Sequence, residues 1–143
     1  MPLGLVGAEA NRIEAKKRPL SSMSPTLVLK AGEPVLTLGA AGGPTIITQV
    51  VQGLINYLAL DYDLNAAIAR PRIHQQWKPP VLFAEETVAK AVKSDLQARG
   101  HMLKKLGSFG GTQAISLKDG KFTAVTEPRV IARNKAAKEQ THD

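Results

Sequence analysis

A glycine-rich segment lies where the hydrophobic pattern of the chain changes from that of a strand to that of a helix. Residues 35–38 (Val-Leu-Thr-Leu) favour a β-strand, and residues 39–44 read Gly-Ala-Ala-Gly-Gly-Pro. Beyond them, apolar residues recur in two helical rows: Ile46, Val50, Leu54 and Leu58, and beside them Ile47, Val51 and Ile55. This spacing predicts a mostly buried helix from residue 45 to about residue 60. The glycines therefore carry the chain from a strand directly into a helix N-terminus.

The remaining pattern predicts an α+β domain with the element order β-β-α-α-β-α-β-β. The other predicted elements are hairpins at 26–29 with 35–38 and at 114–117 with 122–125, and helices at 65–69 and 85–99. Asp119-Gly120 is expected to form the turn of the second hairpin, and Asn65 the N-cap of the shorter helix. The whole chain, residues 1–143, is expected to be one domain with a frayed polar tail at 132–143.

The composition disfavours several classes of protein. With 43% hydrophobic and 22% charged residues, the chain is typical of a globular domain rather than a disordered one. It has no cysteine, which excludes disulfides and a thiolate nucleophile, and no apolar run long enough to predict a membrane span. The net charge is +7, but the basic residues are scattered and only 4% of residues are aromatic. We therefore expect no nucleic-acid partner.

Two segments are candidates for binding an anion. Backbone N–H groups of the glycine-rich turn could point at negative charge beside a helix N-terminus, although a tight turn without a ligand fits equally well. The segment lacks the Gly-Lys-Ser/Thr ending of a phosphate-binding loop. Residues 21–24 (Ser-Ser-Met-Ser) offer hydroxyl donors for a carboxylate, and they also fit a turn held by side-chain hydrogen bonds.

The histidines indicate neither a metal site nor a catalytic triad. His74, His101 and His142 have no partner at metal-ligand spacing, and no Gly-x-Ser-x-Gly motif is present. His74 is expected to have a structural role. No metal and no cofactor are predicted.

Several separated segments together resemble the gamma-glutamyltransferase (gamma-glutamyl transpeptidase) family. The specific one is Arg18-Pro19-Leu20-Ser21-Ser22-Met23-Ser24-Pro25-Thr26, followed in order by Gly39-Ala40-Ala41-Gly42-Gly43 and Pro71-Arg72-Ile73-His74-Gln75-Gln76-Trp77. Residues 4–11, 111–115 and 127–129 add weaker similarity. The resemblance spans nearly all of residues 4–130.

The resemblance implies part of an N-terminal-nucleophile hydrolase, a four-layer αββα sandwich made as a self-cleaving precursor with a large and a small subunit. In that family an N-terminal threonine attacks gamma-glutamyl amides such as glutathione, and water or an amine of an amino acid or peptide takes the glutamyl group. The serines matching Ser21 and Ser22 bind the substrate's α-carboxylate. The glycines matching Gly42 and Gly43 supply oxyanion amides.

The resemblance also implies that residues 1–143 are catalytically incomplete. They correspond to the C-terminal part of the small subunit, and neither the nucleophilic threonine nor the carboxylate-binding arginine of the large subunit has a counterpart in them. The chain is therefore expected to be inactive alone, to need the large subunit and the upstream part of the small subunit, and to self-associate. The family suggests a periplasmic, secreted or cell-surface location, but the residues themselves do not specify one.

Two other functions remain open from the sequence. The serine and glycine segments could form a non-catalytic domain that binds a carboxylate or amino acid. Alternatively, Pro2 could become an N-terminal secondary amine and act as a general base in a tautomerase.

Overall fold

A four-stranded antiparallel sheet and a three-stranded sheet form the framework of the chain in the computed structural model, which describes residues 9–107 and 110–140. The first sheet has the order β1-β2-β6-β7, with β1 Thr26–Lys30, β2 Glu33–Gly39, β6 Gln113–Lys118 and β7 Lys121–Thr126. The second has the order β3-β4-β5, with β3 Ile73–His74, β4 Leu82–Glu85 and β5 Leu103–Leu106. The helices are α1 Thr45–Leu54, α2 Leu64–Ala69, α3 Lys90–Ala98 and α4 Pro128–Gln140.

The four-stranded sheet buries one face against α1 and α2. Leu36 and Leu38 of β2 are buried, whereas Thr37 between them is exposed, as the two-residue period of a strand requires. Register pairs Leu38 with Ala114 across β2 and β6, and Ala114 with Val125 across β6 and β7. The resulting core joins one sheet face to two helices: Leu36, Leu38, Ile46, Val50, Leu64, Ile68, Ala114 and Val125.

The helix predicted from residue 45 to about residue 60 is present in two parts. Helix α1 ends at Leu54, and a π-helical extension continues over Ile55–Ala59. The expected burial holds only for the first part of one apolar row, because Leu58 at the end of that row is 50% exposed. Ile46 and Val50 face the core, but Ile47 and Val51 of the second row are 50% and 46% exposed. Only one side of α1 packs against the four-stranded sheet, so its other side faces outward.

Both predicted hairpins are confirmed. Strand β1 pairs with β2, and β6 pairs with β7. Asp119 and Gly120 have φ values of 49° and 73°, the left-handed pair that a two-residue hairpin turn of the type favoured by Asp-Gly needs. The α+β class is likewise confirmed.

Two predicted boundaries are wrong, and strand β5 is an addition to the predicted elements. Helix α2 is capped by Asp63 rather than Asn65, because the Asp63 carboxylate accepts a hydrogen bond from the Ala66 N–H at 2.9 Å. Glu85 ends strand β4 instead of starting a helix, and α3 begins only at Lys90. Strand β5, which pairs in parallel with β4, was not predicted. It is only four residues long, and its two central lysines remove the apolar pattern that would indicate a strand.

Helix α4 occupies much of the segment expected to be a frayed tail. It runs to Gln140, and residues 141–143 lie outside the described part of the chain. From residue 131 to residue 137 every side chain in it is exposed, so tertiary contacts beyond its first turn are few. No helix in residues 9–107 and 110–140 is long and apolar enough to cross a membrane.

Replacement of Ile68 by alanine should destabilise the domain strongly. The Ile68 side chain is 1% exposed and belongs to the core between α2 and the sheet. Truncating it removes buried methyl groups and leaves a cavity, which typically costs about 2–5 kcal/mol. Urea unfolding should show this loss. The matched control, Ile47→Ala, removes the same atoms from a half-exposed position and should cost less than about 1 kcal/mol. Equal losses would contradict the assignment of the core.

Candidate active site

The turn between β2 and α1 requires a glycine at residue 42 and favours one at residue 43. Gly42 and Gly43 have φ values of 141° and 58°, in the region that residues with a Cβ avoid. A Cβ on Gly42 would lie 2.5 Å from the Thr45 Oγ1 and 2.9 Å from the Gln49 Nε2. Gly42 is therefore required both by its backbone conformation and by the packed side chains of the helix that follows, whereas Gly43 is favoured by its left-handed backbone alone.

This turn leaves two backbone N–H groups available at a helix N-terminus. The carbonyls of Gly42 and Gly43 accept hydrogen bonds from the N–H groups of Thr45 and Ile46 at 3.3 and 3.1 Å. Among the described residues, nothing accepts a hydrogen bond from the N–H of Gly42 or of Gly43. Both glycines are exposed. Free amides beside the positive end of the α1 dipole form a suitable environment for a developing negative charge.

The serine segment lies directly against this turn, although 21 residues separate the contacting groups in sequence. The Ser22 hydroxyl donates a hydrogen bond to the Gly43 carbonyl at 2.7 Å. The neighbouring Ser21 is exposed, and its Oγ accepts a hydrogen bond from the Met23 N–H at 3.2 Å. Among the described residues the Ser21 hydroxyl donates to no group, so its proton is available to an anion. The structure therefore brings the two predicted anion-binding segments together.

A buried ion network lies behind the turn. Arg72 Nη2 lies 2.6 Å from a carboxylate oxygen of Glu127, with exposed side-chain fractions of 4% and 0%. Arg129 contacts Glu127 at 2.8 Å and Glu85 at 2.6 Å. The Glu85 carboxylate also accepts a hydrogen bond from the Arg72 backbone N–H at 2.9 Å. Two cations and two anions thus join the end of β4, the end of β7 and the first turn of α4.

The network shifts the pKa values of its members. Burial lowers the pKa of the Arg72 guanidinium, and the charge of Glu127 only partly offsets this effect. For Glu127, burial alone would raise the pKa, but hydrogen bonds and charge from Arg129 and Arg72 outweigh it, so the pKa lies below its ordinary value. For Arg129, burial opposes the charge, yet its hydrogen bonds to Glu85 and Glu127 raise the pKa. The carboxylate of Glu127 is therefore held ionised inside the protein.

His74 is packed and hydrogen-bonded in the interior. It is 1% exposed, its Nδ1 lies 2.9 Å from the Thr48 hydroxyl and its Nε2 lies 2.9 Å from the Gln76 side-chain oxygen. Its ring also stacks on Phe83. Both ring nitrogens are thus used inside the protein, which fits the structural role predicted for this residue. No group of three or more His, Cys, Asp or Glu side chains in the described ranges could hold a metal ion.

Sequence reasoning missed the residue that joins the turn to the ion network. Gln49 is fully buried on α1 and contacts Ala41, Thr45 and the 111–112 segment. The signal was present, since Thr45, Gln49 and Gln52 form a polar row along a helix that is otherwise mostly apolar. Residues 4–8, Pro2 and His142, each considered from the sequence, lie outside the described residues.

Comparison with known proteins identifies the family. Residues 2–137 match the family model for gamma-glutamyltranspeptidase. The chain is 41% identical over 131 residues to the glutathione hydrolase proenzyme of Escherichia coli K12, and 38% identical over 134 residues to that of Bacillus subtilis 168. In each case the alignment covers 90% of this chain and 22% of the relative, so the chain spans about a fifth of the relatives' length. The chain belongs to the gamma-glutamyltranspeptidase family.

Solved structures of the family share the fold. A mutant of the Helicobacter pylori gamma-glutamyltranspeptidase superposes with a TM-score of 0.82 at 40% identity, covering 88% of this chain and 70% of that one. The enzyme of Pseudomonas nitroreducens complexed with L-DON gives 0.80 at 35% identity, covering 88% and 67%. The fold is therefore that of the N-terminal-nucleophile hydrolases, as the resemblance implied.

Acid should destabilise the domain partly through Glu127. Because its pKa in the folded protein lies below that in the unfolded chain, its stabilising contribution is complete above about pH 4.5 and is lost as the pH falls below that value. Glu127→Gln should cost about 3–5 kcal/mol at pH 7, since it removes one of the two buried carboxylates that balance Arg72 and Arg129 and leaves Glu85 as the remaining anion of the network. It should also weaken the dependence of stability on pH between 5 and 3. Denaturant unfolding at several pH values measures both effects.

The matched control is Glu33→Gln, which changes an exposed carboxylate at the start of β2. It should alter the free energy of unfolding by less than about 0.5 kcal/mol at pH 7. An acid dependence of stability that is the same in Glu127→Gln as in the unmodified chain would show that Glu127 is not held ionised by the network.

Proposed function

We propose that this chain provides the carboxylate-binding and oxyanion-binding parts of an enzyme that cleaves gamma-glutamyl amides such as glutathione. The glutamyl group would pass to water or to the amine of an amino acid or peptide. Membership of the family supports the reaction class. The observation that carries the proposal is the hydrogen bond from the Ser22 hydroxyl to the Gly43 carbonyl, which joins the segment that contains Ser21 to the turn that contains Gly42 and Gly43.

The two loops suit the two ends of one glutamyl group. The Ser21 hydroxyl can donate to the α-carboxylate, a charge-assisted hydrogen bond that orients the substrate. An extended glutamyl group spans about 5 Å from its α-carboxylate carbon to its γ-carbonyl carbon, as ordinary bond lengths dictate. In this proposal the α-carboxylate lies on the serine segment and the γ-carbonyl lies at the adjacent glycine turn.

The chemistry proposed for the glycine turn is stabilisation of an oxyanion. When a nucleophile adds to the γ-carbonyl carbon, negative charge develops on the carbonyl oxygen. The N–H groups of Gly42 and Gly43 are not occupied by other described residues and are proposed to receive that charge. Loss of one such donor typically costs about 10²–10³ in kcat. Collapse of the intermediate then expels the amine and leaves the glutamyl group on the nucleophile, from which water or a second amine takes it.

The nucleophile is proposed to come from another part of the enzyme. The resemblance assigns this role to an N-terminal threonine whose own amine acts as base, and no position in residues 1–143 matches it. The arginine that pairs with the glutamyl carboxylate is similarly expected from the large subunit. The proposed partners are therefore the large subunit and the upstream part of the small subunit, and residues 1–143 alone are expected to be inactive.

The outer face of the four-stranded sheet supports self-association of the isolated chain. Leu27, Leu29, Ile115 and Phe122 are 62%, 55%, 43% and 76% exposed, and α1 and α2 cover only the opposite face. Exposed apolar sheet surface of this kind favours association. Light scattering over a range of concentrations should show species larger than a monomer. A monomer at every concentration would contradict this part of the proposal.

A chromogenic gamma-glutamyl anilide tests the activity. The purified chain alone should release no aniline, and adding the large subunit with the upstream part of the small subunit should restore turnover. In that assembly Ser21→Ala should raise KM about 10–100-fold, since a hydrogen bond to a charged group contributes about 1.5–3 kcal/mol. The control is Ser94→Ala on α3, at an exposed position remote in sequence from both loops, which should leave KM unchanged.

Two results would overturn the proposal. Turnover by the chain alone would show that a group within residues 1–143 acts as the nucleophile. Glutamate binding by the chain alone, measured by calorimetry and without activity in any assembly, would instead identify a non-catalytic carboxylate-binding domain.

A further inference from the structure

We propose that Gln49 is a positioning residue for the oxyanion amides of Gly42 and Gly43. It would act by holding the backbone just before them and joining it to the buried ion network. This inference rests on the proposed function, because it concerns the same glycine turn. The residue touches neither the free amides nor the proposed substrate position, and its effect on the reaction is transmitted through Ala41 and Thr45.

Every polar group of the Gln49 side chain is used, although the side chain is completely buried. Its Nε2 donates to the Ala41 carbonyl at 3.0 Å and to the Thr45 hydroxyl at 2.9 Å. Its Oε1 accepts from the Gly111 N–H and from the Thr112 hydroxyl, each at 3.1 Å. One amide thus joins the residue before Gly42, the first residue of α1 and the segment leading into β6.

Only a primary amide satisfies this site. The two donors of Nε2 meet two acceptors, and the oxygen meets at least two donors, so the polarity of the side chain matches its surroundings at both ends. A glutamate would keep the acceptor but lose both donors, and a methionine would lose all of these bonds. Either change leaves buried polar groups without partners, which the surrounding loops can relieve only by moving.

Close packing makes the turn sensitive to such movement. A Cβ on Gly42 would lie 2.9 Å from the Gln49 Nε2, so the amide nitrogen sits against the glycine that carries one of the free N–H groups. A Cβ on Gly111 would lie 3.2 Å from the Cβ of Ala41, which shows how tightly the two loops approach. If Gln49 releases Ala41, the N–H groups that follow Ala41 lose the restraint on the N-terminal side of the turn, and the bonds from Thr45 to Gly42 and from Ser22 to Gly43 remain.

The ion network provides the fixed end of this connection. Arg72, whose Nη2 pairs with Glu127, also donates to the Thr112 hydroxyl at 3.2 Å. Thr112 in turn donates to Gln49. Arg72 also donates directly to the Gln49 side-chain oxygen at 3.4 Å. The contacts therefore lead from Glu127 to Arg72, then to Gln49 both directly and through Thr112, and from Gln49 to Ala41 at the exposed turn. The N–H groups of Gly42 and Gly43 cannot stabilise the turn if they are to remain free for a ligand. The turn is therefore stabilised through Ala41 and Thr45, which Gln49 binds.

The kinetic test uses Gln49→Glu and Gln49→Met in the assembled enzyme with a gamma-glutamyl anilide. Oxyanion stabilisation acts in the transition state, so kcat should fall about tenfold or more while KM changes less than about twofold. Gln49→Met should lower kcat at least as much as Gln49→Glu. Unchanged kcat in both variants, or a rise in KM alone, would overturn the proposal.

Gln52→Met is the matched control. Gln52 lies on the same helix and also binds backbone at both ends of its amide, donating to the Ile73 carbonyl at 2.8 Å and accepting from the Ile73 N–H at 3.1 Å. It secures β3 rather than the glycine turn. The control should lose stability in denaturant unfolding and yet keep kcat within about twofold. An equal fall in kcat would show that loss of stability alone accounts for the effect.

A second measurement separates this inference from the proposed function. In NMR spectra of the full 143-residue chain without partners, Gln49→Glu should shift the amide resonances of Gly42 and Gly43, and Gln52→Met should leave them in place. This measurement needs no turnover. Because Gln49→Glu keeps the shape of the side chain, it remains a usable variant if Gln49→Met fails to fold. Unshifted glycine resonances in Gln49→Glu would refute the role of Gln49, whereas shifted resonances with no activity in any assembly would refute only the proposed function.

Discussion

The buried pairing of Arg72 with Glu127 is the interaction on which the arrangement of the elements depends. Removing two charges from water is costly, and the cost is recovered only when each charge meets a partner at hydrogen-bonding distance. Here Glu127 lies between two arginines, and Arg129 also contacts Glu85. Glu85 ends β4 of the three-stranded sheet, Glu127 directly follows β7 of the four-stranded sheet, and Arg129 lies in the first turn of α4. Satisfying the charges therefore constrains how the two sheets meet. Hydrophobic burial alone would permit other arrangements, since apolar contacts have no direction.

The candidate site depends on that fixed junction. Its functional groups are exposed N–H groups and a hydroxyl, none of which contributes packing. A glycine turn whose amides make no hydrogen bonds has little intrinsic conformational preference, because glycine adopts many backbone conformations. Gln49 from behind and Ser22 from the side restrict it, through bonds to Ala41 and Gly43 respectively. The Ser21 hydroxyl proton and the N–H groups of Gly42 and Gly43 are not used in these restraints.

An element could be predicted from the sequence where neighbouring residues determine its structure, and not where contacts with distant residues determine it. The second hairpin was predictable because Asp119-Gly120 defines its own turn, and α1 because its apolar rows repeat every four residues. Strand β4 was extended to Glu85 by contacts with Arg72 and Arg129, which lie 13 and 44 residues away. No local pattern contains such partners. The cap of α2 was missed for a simpler reason, since two suitable residues, Asp63 and Asn65, stand close together.

For the candidate site, the residue types could be interpreted from the sequence, but the proximity of the two segments could not be predicted from it. Serine hydroxyls and glycine amides suggested two separate anion-binding segments, and only the structure shows Ser22 bonded to Gly43. Gln49 was overlooked because a polar residue in an amphipathic helix is ordinarily exposed, whereas here it is fully buried.

The central claim is that the serine segment and the glycine turn form one site, and its most direct test is a crystal structure of the assembled enzyme with glutamate bound. We predict the Ser21 hydroxyl within about 3.2 Å of the α-carboxylate and the N–H groups of Gly42 and Gly43 directed at a γ-carboxylate oxygen. Glutamate bound elsewhere, or glycine N–H groups directed away from it, would contradict the claim that the two loops form one site.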